Sequence, residues 1–162
     1  MTYFLAGNAE QVEILRLQGG ANLAGVGNNI INTMFGNGGN NLLDGGLGSD
    51  TMTGGLGNDT FRFTSALGPA NVDTITDFLA ADDRFQIDNA VFVGLAAGAL
   101  AATAFKDIGG GAAIDANDRI IYNSANGDLF FDQDGSGGAF AAVKFADLSN
   151  NAIINAADFV VI

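Results

Sequence analysis

Large apolar residues recur every nine positions in GGLGSDTMTGGLGNDTFRF, which spans residues 45–63. Each phrase has glycine at its first, second and fourth places, aspartate at its sixth and one large apolar residue at its eighth. The same register extends back to GNGGNNLLD at 36–44, so the apolar positions are Leu43, Met52 and Phe61. A flexible linker has no reason to keep such a period. The pattern predicts six residues of turn and three of strand, repeated as half-coils of a flattened β-helix.

The register weakens upstream of these units. NNII at 28–31 resembles NNLL at 40–43 at a spacing of twelve, which predicts that TMF (33–35) bulges out of the repeat. Still earlier, VEILRLQGGANLAGV (12–26) alternates apolar and polar residues at first and indicates a strand followed by a turn. We therefore expect the regular roll over 36–62, with degenerate coils before it.

Residues 69–162 carry longer apolar runs that predict short strands separated by turns. In DRIIYNSANGDLFFD (118–132), two apolar runs flank a turn of Asn, Ser and Gly, which is typical of a hairpin. GLAAGALAATAF (94–105) fits either a short helix or a buried coil. The predicted fold is all-β, with a short parallel β-roll in 1–68 and a β-rich cap in 69–162. The other strand candidates are VDTITDF (72–78), DRFQID (83–88), AFAAVKFADL (139–148) and ADFVVI (157–162).

The charge balance indicates that the natural partner is a cation. Asp and Glu number 18 against 6 Lys and Arg, a net charge of −12, which argues against nucleic acid and anionic membrane surfaces. There is no His and no Cys, so the metal ligands are oxygens, which favour Ca²⁺ or Mg²⁺. An enzyme would be limited to carboxylate, Ser, Lys or Tyr chemistry, and no G-x-S-x-G motif occurs. No apolar stretch approaches the roughly 18 residues of a membrane span, and the N-terminus lacks the basic start of a secretory signal.

The glycines and the aspartate of each repeat can together enclose an ion. Glycine permits positive φ and lets carbonyl groups crowd toward one point, to which the aspartate adds a carboxylate. Alternate half-coils share a side, so turn 36–41 should stack on turn 54–59 and place Asn41 and Asp59 around one ion. A flexible cage of six to eight oxygens suits Ca²⁺, whereas Mg²⁺ demands a rigid octahedron.

Turn 45–50 lies on the opposite side of the predicted roll. Its stacking partners should be the degenerate segment 27–32 and FTSALG (63–68), which predicts an incomplete site there. We expect one well-formed site and one or two partial ones. The candidate ligands in these turns are Asn37, Gly39, Asn41, Gly46, Gly48, Asp50, Gly55, Gly57 and Asp59.

The two regular phrases resemble the nonapeptide of the repeats-in-toxin (RTX), or hemolysin-type, calcium-binding family. The later part is similar to the C-terminal region of type I-secreted proteins such as the serralysin-like proteases, and the quoted landmarks are DTFRF (59–63), DTITDF (73–78), DRIIYNSANGDLFFDQDGSG (118–137) and DFVVI (158–162). The resemblance implies a parallel β-roll with bound calcium. It also implies an uncleaved C-terminal signal for the Gram-negative type I secretion machinery, and so a secreted, extracellular protein. Asn37 and Asn41 depart from the repeat and weaken the upstream turns.

Several carboxylates outside the regular turns have two interpretations. Asp73 and Asp77 fit an end-cap metal site that closes the roll, or ordinary solvated strand positions. DQDGSG (132–137) resembles a calcium loop but lacks the closing Glu of an EF-hand, which favours a tight hairpin turn. Asp82 and Asp83 are neighbours on a predicted strand and therefore point to opposite faces, so we interpret them as a solvated pair.

The sequence supports one leading function and one alternative. The leading hypothesis is a non-catalytic calcium-binding module that folds on binding Ca²⁺ after type I secretion, as the C-terminal part of a larger secreted protein. The alternative is a carbohydrate- or surface-binding module attached to a polysaccharide-modifying enzyme or an adhesin. With 2 Tyr and no Trp, the chain offers few aromatic platforms for sugars.

Overall fold

The structure is a computed structural model that describes residues 1–5 and 12–162. These residues form two layers of short strands, together with two 3₁₀ helices of three residues each, Ala102–Ala104 and Ala156–Asp158. The strands are β1 (Thr2–Phe4), β2 (Ile14–Arg16), β3 (Ala24–Val26), β4 (Thr33–Phe35), β5 (Leu42–Asp44), β6 (Thr51–Thr53), β7 (Thr60–Phe63), β8 (Asp73–Ile75), β9 (Arg84–Ile87), β10 (Gly98–Ala99), β11 (Phe105–Asp107), β12 (Ile120–Asn123), β13 (Asp128–Phe131), β14 (Val143–Leu148) and β15 (Phe159–Val161).

Strands β1 to β9 alternate between two sheets, and each pairs in parallel with the strand two places along the chain. Sheet A has the order β1-β3-β5-β7-β9-β15-β10, and sheet B has the order β11-β12-β13-β14-β8-β6-β4-β2. Between β3 and β7 the register joins residues 18 apart, as in Met34 with Met52 and Leu43 with Phe61. This arrangement confirms the predicted parallel β-roll, in which nine residues make half a coil.

The turns of the roll lie along two edges. Edge 1 carries the connections from sheet A to sheet B, and edge 2 carries those from sheet B to sheet A. Edge 1 contains segments 27–32, 45–50 and 64–72, and edge 2 contains segments 17–23, 36–41, 54–59 and 76–83.

The apolar residues at the eighth repeat position fill the space between the sheets. Leu43, Met52 and Phe61 are completely buried, as the nine-residue period predicts. Burying each such side chain contributes about 1.5–3 kcal/mol. Farther along the roll the core becomes aromatic, and the rings of Phe78 and Phe85 stack with their centroids 4.4 Å apart. One continuous hydrophobic cluster therefore supports both edges.

The repeat begins earlier than the sequence interpretation placed it. The prediction that 33–35 bulges out is wrong, because these residues form β4 and Met34 is completely buried at the eighth position of the unit 27–35. The match of NNII to NNLL aligned the start of one turn with the end of another. In the unit before it, Gly25 occupies the eighth position, and the Leu15 side chain fills the space, since a Cβ there would lie 2.8 Å from its Cδ2.

The C-terminal part continues both sheets. β8 and β9 extend the parallel ladders, with Thr51 opposite Thr74 and Thr60 opposite Arg84. The predicted hairpin is β12–β13, after which β14 joins β13 to β8, and β15 lies between β9 and β10. Segment 94–105 is largely coil with a short strand and a 3₁₀ turn. The division at residue 68 stays a prediction, and strands from both sides of it share the two sheets.

Among the described residues, no helix is long and apolar enough to cross a membrane.

Candidate metal centre

The sixth residues of successive turns form a hydrogen-bonded ladder along edge 2. Asp59 Oδ1 accepts the backbone N–H of Asn41 at 2.7 Å, and Asp83 Oδ1 accepts the backbone N–H of Asp59 at 2.9 Å. At the start of this ladder, Asn41 Oδ1 accepts the N–H of Asn37 at 2.7 Å. Turn 36–41 thus stacks on turn 54–59, as the 18-residue period predicts.

Edge 1 carries the same ladder with different residues. Asp50 Oδ1 accepts the N–H of Asn32 at 2.7 Å, and Asp73 Oδ1 accepts the N–H of Asp50 at 3.0 Å. The expected stacking of turn 45–50 on 27–32 is confirmed. On the other side of turn 45–50, the N–H of Asp50 bonds to Asp73 and not to a residue of the predicted segment 63–68. The reason is that the connection between β7 and β8 is longer than a nonapeptide turn.

Glycine at the first repeat position leaves room for the side-chain oxygens of the ladder. A Cβ on Gly54 would lie 2.4 Å from Asp59 Oδ2. A Cβ on Gly36 would lie 2.0 Å from the Gly54 carbonyl oxygen and 2.5 Å from Asn41 Oδ1. Any other residue at these positions would collide with the oxygens. The sequence requires glycine here because oxygen atoms of two turns converge at this point.

Glycines at the second and fourth positions bring backbone carbonyls to the same region. Gly55 and Gly57 have φ of 99° and 111°, which side-chain-bearing residues rarely adopt. A Cβ on Gly55 would lie 2.4 Å from the Asn37 carbonyl oxygen, and a Cβ on Gly57 would lie 2.8 Å from the Gly39 carbonyl oxygen. Edge 1 repeats this arrangement at Gly46 and Gly48, which lie against the carbonyl oxygens of Asn28 and Ile30.

The ladder carboxyl groups are buried and lie close to one another. Burial raises the pKa of Asp50 and of Asp59 to about 6, and it raises the pKa of Asp73 to about 8. Burial also raises the pKa of Asp83. Neighbouring carboxylates add to each shift, with Asp44 acting on Asp50 and Asp77 acting on Asp59. These groups would be stabilised by a cation that neutralises them.

The donor set fits calcium. Asp50 Oδ2 is buried and has no hydrogen-bond partner within the described part of the chain. The ion pairs found among residues 1–5 and 12–162 are made by Asp44, Asp128 and Asp147. Within these residues, the ladder aspartates have no basic partner; they are Asp50, Asp59, Asp73 and Asp83. Over the same residues no three acidic side chains converge on one point, so a cage must combine carboxylate and carbonyl oxygens. Calcium accepts this mixture of ligands.

Two of the carboxylates with open interpretations lie at the turns. Asp73 is part of the edge 1 ladder. Asp77 accepts the N–H groups of Gly54 and Gly55 at 2.8 and 2.9 Å and so caps turn 54–59. The assignment of either residue as a metal ligand stays a prediction.

The interpretation of Asp83 as a solvated residue is wrong, because it is only 8% exposed and occupies the sixth position of the next edge 2 turn. Its neighbour Asp82 is half-buried. The sequence contains one signal that identifies Asp83. It precedes the alternating strand RFQI just as Asp59 precedes TFRF. The spacing is 24 rather than 18, which hides it from a search at a fixed period.

DQDGSG forms a tight turn, which is the interpretation that the sequence favours. Asp132 Oδ1 accepts the N–H of Asp134 at 3.1 Å, and Gly135 has φ of 60°. The N–H of Ser136 donates to the carbonyl of Asp115 at 2.9 Å and fixes the turn to the preceding loop.

Comparison with known proteins identifies the repeats. Residues 24–61 match the family model of the RTX calcium-binding nonapeptide repeat, in four copies. This range includes the unit 27–35, in agreement with the register of the structure. A search of curated protein sequences finds no match.

The fold is similar to the solution structure of the AlgE6R3 subunit from the Azotobacter vinelandii mannuronan C5-epimerase. The two share 24% sequence identity with a TM-score of 0.54, over 92% of this chain and 78% of the other. At this identity the likeness shows the fold alone. The chain is therefore a parallel β-roll. Its residues 24–61 match RTX repeats, and repeats of this kind bind calcium.

Proposed function

We propose that this chain is a calcium-dependent folding module that acts outside the cell after type I secretion and has no catalytic role of its own. The observation that carries the proposal is the pair of ladders of buried carboxyl groups, which no basic side chain of the described residues neutralises. Ca²⁺ between stacked turns would neutralise these groups and fix the turns against each other. Without it, the like charges oppose folding.

The proposed cages differ in charge along edge 2. The space between turns 36–41 and 54–59 is bordered by Asn41 and Asp59, and therefore by one carboxylate. The next space is bordered by Asp59 and Asp83, with Asp77 close enough to raise the pKa of both. Calcium affinity rises with the charge of the ligands. We therefore extend the proposed ligand set to Asp83 and place the tighter edge 2 site at the C-terminal side of turn 54–59.

Location controls folding through the concentration of calcium. Extracellular calcium modules bind with dissociation constants of roughly 10⁻⁴–10⁻³ M, far above cytosolic calcium, so binding contributes nothing inside the cell. Outside, calcium at about 100 times the dissociation constant adds about 2.7 kcal/mol per site. Two such sites account for much of the 5–15 kcal/mol that typically separates a folded domain from its unfolded state.

The C-terminus supports export in an unfolded state. In the proposal DFVVI is the secretion signal, yet Phe159 and Val161 are buried in β15, where they pair with β9. Secretion machinery could not read these residues in the folded protein. A chain that stays unfolded until it meets calcium leaves this signal accessible in the cytosol.

A calcium titration followed by far-UV circular dichroism tests the proposal. The protein in metal-free buffer should show little β signal and gain it as calcium is added. Asp59→Ala should shift the midpoint to much higher calcium, because Asp59 borders two of the proposed cages. Asp132→Ala, which removes a carboxylate of similar burial from the cap, should leave the midpoint closer to that of the unmodified protein. Equal β content with and without calcium would overturn the proposal.

A second candidate function is polysaccharide binding, which is favoured only by the likeness to a subunit of a polymer-modifying epimerase. Calcium-dependent retention on an immobilised anionic polysaccharide would support it. Retention equal to that of an acidic control protein would exclude it.

A further inference from the structure

The C-terminal part of the molecule contains a cavity that shares no lining residue with the repeats. It has a volume of about 270 Å³ and lies between segment 94–104 and the loop that leads into β12. This is about nine times the share of liquid volume that one water molecule takes, so the cavity fits a ligand of about ten non-hydrogen atoms. Leu95, Leu100 and Ala104 are buried and form an apolar wall. A small apolar cavity with few polar groups is typical of a ligand site.

Arg119 lines this cavity and is held in place by the backbone. Its own N–H donates to the Ala104 carbonyl at 2.9 Å, which fixes the start of β12 beside segment 94–104. Its Nη1 donates to the carbonyl groups of Ala116 at 2.9 Å and Asp118 at 3.1 Å. The Nε and Nη2 groups have no hydrogen-bond partner among the described residues. One edge of the planar guanidinium therefore remains able to donate two parallel hydrogen bonds.

The charge of this guanidinium is not paired with a carboxylate of the described residues. The ion pairs within residues 1–5 and 12–162 involve Arg62 and Lys144, and none involves Arg119. Asp118 adjoins Arg119 in the sequence, but its Oδ2 accepts the N–H of Asp115 at 2.6 Å. Carboxylates are abundant in a chain with 18 acidic and 6 basic residues. An arginine that bonds only to carbonyl groups here is therefore free to bind the anionic group of a ligand.

We propose that this cavity binds a small organic monocarboxylate. The carboxylate would accept the Nε and Nη2 hydrogens of Arg119 as a bidentate pair, and the body of the ligand would lie against Leu95 and Leu100. A single negative charge is favoured over the double charge of a phosphate monoester, because Asp115 and Asp118 belong to the same loop. A free organic acid and a uronate unit of a polysaccharide share this chemistry. The site uses no residue of the two ladders, so the inference goes beyond the proposed function.

Chemical-shift titration of the ¹⁵N-labelled, calcium-loaded chain tests the site. Phenylacetate, whose size matches the cavity, should move the amide signals of segments 94–104 and 115–119, with a dissociation constant of about 1 mM for so small a ligand. Phenylacetamide has the same shape without the charge and should bind at least about 10 times more weakly. Galacturonate, added as the monosaccharide, distinguishes the two sources. Binding tighter than that of phenylacetate indicates a uronate, and weaker binding indicates a free acid.

Substitutions of Arg119 test the assigned contact. Arg119→Lys keeps the charge and loses the planar fork, so phenylacetate should bind about 10 times more weakly or worse. Arg119→Gln removes the charge and should abolish the shifts. Arg84→Gln removes an equal charge at an exposed position of β9 and is the matched control, which should bind as the unmodified chain does.

Three results would overturn the inference. In the first, neither acid moves signals of the two segments, which includes shifts confined to the turns of the roll, where a carboxylate could meet bound calcium. In the second, the Arg119 variants bind as tightly as the unmodified chain. In the third, the amide binds as tightly as the acid, a comparison that needs only the unmodified protein and so holds even if a variant fails to fold. A chain that folds equally well without calcium would defeat the proposed function and leave this site standing.

Discussion

Acid should partly replace calcium in folding this protein. In the folded state, burial raises the pKa of Asp50 and of Asp59 from 3.8 to about 6. Each folded carboxyl group therefore holds its proton more tightly than in the unfolded chain, so protonation favours the folded state. This stabilisation is complete below about pH 4 and is lost as the pH rises through 6. A shift of about two units corresponds to ~3 kcal/mol for each group. Asp73, whose pKa burial raises to about 8, extends the loss to higher pH.

Calcium should reverse the sign of this dependence, because the ion binds carboxylates and competes with protons. Circular dichroism from about pH 5 to about pH 8 measures the β signal of the metal-free protein, and urea unfolding measures the stability of the calcium-loaded protein. In metal-free buffer the β signal should be largest at the acid end of this range and should fall as the pH rises. With saturating calcium the free energy of unfolding should rise or stay level. A metal-free stability that rises with pH would show that the ladder carboxyl groups are not desolvated, and the electrostatic reasoning would be refuted.

Two further substitutions test the geometry of the repeats. Gly36→Ala should destabilise the calcium-loaded protein by about 3 kcal/mol or more, because its new Cβ would collide with the Gly54 carbonyl oxygen. Gly38→Ala lies in the same turn but has open space around its Cβ, so it should change stability by less than about 1 kcal/mol. Met52→Ala should cost about 2–5 kcal/mol, and Leu56→Ala, at a side chain that is 77% exposed, should lie within about 0.5 kcal/mol of the unmodified protein. Equal effects within either pair, measured by urea unfolding in calcium, would contradict the assigned positions.

The regular part of the roll could be predicted because its period is visible in single residues. Nine residues separate Leu43, Met52 and Phe61, and a half-coil geometry then requires Asn41 to meet Asp59. The direction of each side chain follows from the strand, so burial at the eighth position was also predictable. In this segment the residue types of each turn and strand are those that the β-roll requires at the same positions.

The irregular coils could not be predicted in the same way. Asp73 and Asp83 continue the two ladders at spacings of 23 and 24 residues, since the connecting segments are longer than a nonapeptide turn. Upstream, Asn32 stands where the repeat has aspartate, and the neighbouring asparagines suggested a false alignment. In both regions the stacking of the strands sets the register of the coils. The sequence of the turns does not reveal this register, because the turns differ in length and lack the regular glycine and aspartate positions.

A crystal structure of the protein grown with calcium tests the central claim most directly. The account predicts anomalous difference peaks on both sides of turn 54–59, toward turn 36–41 and toward turn 76–83, at about 2.3–2.6 Å from oxygens of Asp59 and of the surrounding turn residues. A calcium-loaded crystal with no peak on either side of turn 54–59 would contradict it.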